Sequence, residues 1–148
     1  MLYLSGIHAL NLPCALLTCG DWHTSGINWS KLTFMNSEES IFHEYGIEQN
    51  KKVPENEGVY NVANHIRALL DLLVQGKYTI AQGMNKDFIC NPDYTEEIFQ
   101  KVALMKNLSN WSEIDRFMGR EYYSQWLDYK EREKLCLNKR SGKQNMRK

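Results

Sequence analysis

The sequence predicts a mostly helical α+β chain in which a small N-terminal sheet or extended segment packs on three to four helices. Three observations carry that expectation. Apolar residues recur at three-and-four spacing from Val59 to Leu73, polar caps precede two further apolar-periodic stretches, and strand-like alternation is confined to the N-terminal part. With 148 residues, the chain is expected to form one globular domain over 1–133 followed by a basic, flexible tail over 134–148.

The most regular stretch is read as a helix over 59–75. Val59, Val62, Ala63, Ile66, Leu69, Leu70 and Leu73 form its apolar stripe, which Leu72 and Val74 widen. Gly76 follows, at the position where a left-handed residue ends a helix. Asn64, His65, Arg67 and Asp71 lie off the stripe and are expected on the solvated face. Arg67 and Asp71 then form a surface pair worth about 0.3–0.5 kcal/mol.

Shorter helical turns are expected over 79–84 and 37–43, the latter capped by Ser37. Asn91-Pro92-Asp93 reads as a turn, with Asp93 capping a helix over 94–106 and Glu96 completing a capping box. Ile98, Phe99, Val102 and Met105 are its buried stripe. A last helix over 110–133 opens on Asn110 and Glu113 and carries a broad aromatic face that includes Trp111, Tyr122, Trp126 and Tyr129. Near the N-terminus, Leu2 and Leu4 suggest a strand, and Ile27, Trp29, Leu32 and Phe34 a second extended segment. Residues 51–58 read as a loop.

Composition excludes several classes. Hydrophobic residues make up 43% and charged residues 24%, so the chain is globular rather than disordered. No window holds the run of about 18 apolar residues that a membrane helix needs, and Met1-Leu2-Tyr3-Leu4 lacks the basic region of a secretory signal. A cytoplasmic location with Cys14, Cys19, Cys90 and Cys136 reduced is expected. Six of the 18 bases lie in 134–148, leaving 12 bases against 18 acids in the body, a charge of −6. Nucleic-acid contact is therefore expected through the tail only.

Chemistry-bearing residues concentrate at His8, Cys14, Cys19, Asp21 and His23. Their spacing lacks the Cys-x2-Cys knuckle of a zinc site, so no metal or cofactor is expected. Asp21-Trp22-His23 places a carboxylate and an imidazole two residues apart, on one face of an extended segment. Such a pair suits a general acid or base. No phosphate-loop or dinucleotide fingerprint occurs. The leading expectation is therefore a protein-interaction module, a small regulatory or antitoxin-like partner acting by occlusion on another protein, with Trp22, Trp29, Tyr122 and Trp126 as anchors. The alternative is a small nuclease or other hydrolase using Asp21 and His23.

Overall fold

The computed structural model describes residues 1–21 and 26–134. It has the mostly helical α+β architecture that the sequence predicts. Strand β1 (Leu2–Leu4) leads through Ser5 into the short helix α1 (Gly6–Leu10), and β2 (Phe34–Asn36), β3 (Ile47–Lys51) and β4 (Tyr60–Ala63) complete one sheet. The strand order is β2-β1-β4-β3, with β1 antiparallel to β2 and parallel to β4, and β3 antiparallel to β4. Helices α2 (His65–Val74), α3 (Tyr78–Ala81), α4 (Thr95–Ala103), α5 (Trp111–Tyr122) and α6 (Ser124–Glu133) follow. A π-helical segment, Met84–Ile89, lies between α3 and α4.

The expected helix over 59–75 divides in two. Tyr60–Ala63 is strand β4, because Val62 pairs with both Leu4 and Glu48 across the sheet. Asn64 then takes extended backbone and its side-chain oxygen accepts the Arg67 amide at 2.8 Å, which starts α2. Gly76 closes that helix at φ +75, its amide reaching the Leu73 carbonyl. Every residue from His65 to Leu73 is buried.

The polar face of α2 is buried too, which corrects the solvated-face expectation. Arg67 Nε donates to Asp71 Oδ1 at 3.1 Å, and Arg67 Nη1 donates to the His43 and Tyr45 carbonyls at 2.7 and 2.6 Å. Tyr3 and Ser5, delivered by β1, both donate to Asp71 Oδ2, at 2.8 and 2.7 Å. The Tyr3 hydroxyl also accepts from Arg67 Nη2 at 2.9 Å. Burial, then the Asp71 carboxylate, pushes the Tyr3 phenol well above its ordinary range, so it remains a donor. This network ties β1 to α2 through the middle of the molecule.

The caps also differ in detail. Asn91, rather than Asp93, caps the segment before α4: its side chain accepts from the Asp93 amide and opens the 3-10 turn Pro92–Tyr94. Asn36 likewise replaces Ser37 ahead of the 3-10 turn Ser37–Glu39. The Asn110 side chain caps nothing and instead donates to the Leu73 carbonyl and the Tyr78 hydroxyl.

The helix expected over 110–133 breaks at Tyr123, where φ is +52 and ψ −129. The break turns α6 back so that Trp126 and Tyr129 close on Phe99 of α4, with ring centroids 5.2 and 5.3 Å away. Trp126 Nε1 donates to Asp115 Oδ1 at 2.8 Å, which satisfies the one polar atom of a fully buried indole. One hydrophobic core runs from Tyr3 and Leu4 of the sheet to Tyr122, Trp126 and Tyr129. No described helix is long and apolar enough to cross a membrane.

Candidate functional site

The site expected from sequence does not assemble within the described residues. Trp22, His23, Thr24 and Ser25 lie outside them, as do Cys136 and the rest of residues 135–148, so neither the Asp21–His23 pair nor the basic tail has a described geometry. Asp21 is half-buried, and its Oδ2 accepts from Asn11 Nδ2 at 3.3 Å. Trp29, Tyr122 and Trp126 are enclosed by the chain's own side chains. Their rings fill the core and present no surface to a partner, contrary to their expected role as anchors.

The cysteine–histidine cluster rearranges as well. His8 donates to the Asn28 carbonyl at 3.1 Å and stacks obliquely on Trp29. Cys19 forms a disulfide with Cys90, 71 residues away, which corrects the expectation of reduced thiols at these two positions. The Gly20 amide bonds the Phe88 carbonyl at 2.8 Å, drawing the two segments into the range a disulfide requires. Among the described residues, no group of three His, Cys, Asp or Glu side chains could hold a metal.

Beside that disulfide stands a relay that sequence reasoning missed. His65, the first residue of α2, is completely buried. Its Nε2 donates to the Leu12 carbonyl at 2.6 Å, and its Nδ1 lies 2.6 Å from the Thr18 hydroxyl. Thr18 Oγ1 is in turn 3.5 Å from Cys14 Sγ. Burial favours the neutral thiol, but hydrogen bonds from His65 and Thr18 outweigh it and bring the Cys14 thiol down to about 7. For His65, burial favours the neutral ring, and the Cys14 thiol, the Leu12 carbonyl and Glu48 together outweigh it, raising its pKa. Gly20 makes room for the imidazole: a Cβ there would lie 2.8 Å from His65 Cε1 and 2.7 Å from the Leu10 carbonyl oxygen. The relay is closed in, with Cys14 only 8% exposed.

The open surface lies on the other side of β1. The two edges of the sheet are built differently. At β3 the pairing with β4 shifts register between Glu48 and Lys51, and Asn50 takes φ +59, so that edge is bulged and carries charge. At β2, Phe34-Met35-Asn36 is regular. The Ser37 amide bonds the Met1 carbonyl at 2.9 Å, which marks Met1 and Ser37 as a hydrogen-bonded pair. Alternation along an antiparallel ladder makes Tyr3–Met35 the next such pair. Phe34 and Asn36 therefore turn their backbone groups outward.

Apolar side chains surround this edge, to which no other described strand is paired. Leu2 is 62% exposed, Ile41 43%, Phe34 38% and Val74 37%. Together with Leu108 they line a cavity of about 590 Å³, rimmed by Asn36, Glu39 and Ser40. Leu2 and Phe34 continue into a second hollow of about 310 Å³ beside Val59 and Tyr60, where the Phe34 and Tyr60 rings stack at 5.9 Å. Alternation in β1 does not by itself mark this surface: Tyr3 faces the helices, yet Leu4, which shares the face of the strand with Leu2, is fully buried, and Leu2 alone of the three is exposed. No protein family, curated protein or solved structure matches the chain.

Proposed function

We propose that the chain is a protein-interaction module, a small regulatory partner that acts by occlusion, and that it binds through the β2 edge. The observation carrying this reading is one regular strand edge, unpaired among the described residues, adjoining an apolar cavity lined by Leu2, Phe34, Ile41 and Val74. An extended segment of a partner fits such a surface, because its backbone can continue the ladder while alternate side chains enter the hollows. Exposed apolar patches of this kind favour association. Glu38 and Glu39 stand beside the edge, and the body carries 18 acids against 12 bases, so a segment with apolar alternation and basic flanks complements it.

Selection of random 12-residue peptides on the immobilised protein tests this reading. Bound sequences are expected to alternate apolar residues and to carry Lys or Arg. They should lose at least tenfold in affinity on Ile41→Asp together with Val74→Asp, two partly exposed positions of the cavity wall, compared in a double variant whose melting temperature matches the wild type. Amide-exchange protection on peptide binding should fall on Phe34 and Asn36. Peptides that bind equally to the double variant, or that protect β3 instead, would overturn the assignment.

A further inference from the structure

A separate cavity of about 750 Å³ opens between α3, the π-helical segment and the junction of α5 with α6. Its volume is in the range that small-molecule sites occupy, roughly 300–1,000 Å³. Two backbone features of its wall are ones that concentrate at functional sites. The segment Met84–Ile89 is π-helical, an arrangement rare in proteins. Tyr123 holds φ +52 and ψ −129, a region that residues bearing a Cβ seldom enter, and it does so with its side chain 64% exposed rather than packed. The core explains why the chain must turn there, but not why the turning residue is an exposed tyrosine.

The charges of the wall are arranged in an uneven way. Glu121 is occupied: its two carboxylate oxygens accept the Gly83 and Asn85 amides at 3.2 and 3.1 Å, which caps the π-helical segment. Lys86 and Arg120 are exposed, and among the described residues neither has a carboxylate or carbonyl partner. Asp87 remains beside them, its carboxylate folded over Gly83, where a Cβ would meet Asp87 Oδ2 at 2.7 Å. Two available cations, one available carboxylate and the rings of Tyr78 and Tyr123 therefore line one bounded hollow.

From this arrangement we infer that the cavity binds a nucleoside phosphate. Lys86 and Arg120 take the phosphate oxygens, the guanidinium as a fork and the ammonium as a point charge. The base stacks on Tyr123, whose exposed ring is pre-set by the strained backbone, and Asp87 accepts from the sugar hydroxyls. A nucleic-acid strand is a poorer occupant, because the body's excess of acids over bases repels a long polyanion that extends beyond one cavity.

Calorimetric titration of the full chain with ATP, GTP, adenosine, inorganic tripolyphosphate and phosphotyrosine tests the assignment. ATP and GTP are expected to bind one per chain and at least tenfold more tightly than adenosine, tripolyphosphate or phosphotyrosine. Lys86→Ala and Arg120→Ala should each weaken ATP about tenfold, the loss of one charge-assisted hydrogen bond. Tyr123→Gly separates binding from folding. It relieves the backbone and should raise the melting temperature while weakening ATP binding, whereas a merely structural tyrosine would leave ATP binding unchanged. The inference is overturned by any of three results: no saturable ATP binding up to millimolar concentration, tripolyphosphate or phosphotyrosine binding as tightly as ATP, or binding that all three variants leave untouched.

Discussion

Arg67 and Asp71 sit one turn apart on α2 and form a 3.1 Å ion pair that solvent reaches at neither end, with side-chain exposures of 0% and 3%. The pair is held from outside the helix as much as within it, by Tyr3 and Ser5 on the carboxylate and by the His43 and Tyr45 carbonyls on the guanidinium. Removing one partner leaves a buried charge uncompensated, which typically costs about 3–5 kcal/mol. Arg67→Met is therefore expected to lower the urea midpoint sharply. Arg67→Met combined with Asp71→Leu should recover part of the loss, since no lone charge remains. A double variant less stable than Arg67→Met alone would show that the hydroxyl network, not the ion pair, sets the cost.

The Cys14 thiol should react as a partial thiolate at neutral pH. In a Cys136→Ser background with Cys19–Cys90 intact, the iodoacetamide rate is expected to rise through a midpoint near pH 7, against the ordinary thiol value near 9. His65→Asn should move the midpoint back upward. The linkage has two opposite signs. The lowered Cys14 contributes stability that is complete above pH 9 and is lost as pH falls through about 7. The raised His65 contributes stability that is complete below its ordinary value of 6.5 and is lost as pH rises through its folded value.

Reduction should separate the loop after α1 from the end of the π-helical segment. The Cys19–Cys90 bond spans 71 positions, and closing a loop of that length restricts the unfolded chain by about 4 kcal/mol in the chain-entropy account. Cys90→Ser, or the wild type in excess reductant, is expected to melt at a lower temperature than the oxidised protein. Equal melting temperatures with and without reductant would remove the disulfide from the stability of the fold.

Leu69 and Leu70 are both fully buried on α2, at 0% exposure. Truncating either to Ala should cost about 2–5 kcal/mol, a large part of the total stability of a domain this size. Urea melts of the two single variants check this. An unchanged midpoint in both would contradict the central position of the helix.

The sequence made the apolar stripes legible and left the polar contacts hidden. Leu69, Leu70, Ile98, Val102 and Trp126 are buried as their spacing predicts, because helical periodicity follows directly from which face meets the core. Val59 to Ala63 is ambiguous, since its apolar residues fit a helix extended backward from α2 as well as a strand, and only pairing with β1 and β3 decides between them. Asn64, a cap residue within that apolar run, is the sequence mark of the boundary. The burial of Arg67, Asp71 and His65 leaves no local trace, because the groups outside α2 that bind them, Tyr3, Ser5, Thr18 and the His43 and Tyr45 carbonyls, lie 22 or more positions away. The apolar edge at Leu2 and Phe34 was hidden for a related reason: alternation identifies a strand but does not say which strand ends the sheet.

The unequal edges of the sheet also limit how the molecule can be built into larger objects. A strand added at β2 finds a regular ladder to continue, while the bulge and charges of β3 resist a second addition. Fibre growth requires two usable ends on every unit, so that each copy can receive one neighbour and offer a place to the next. A unit with one usable end is a chain terminator. When the strand on β2 comes from another copy turned through a two-fold axis, both outer ends are β3 edges and assembly along the sheet stops at a pair.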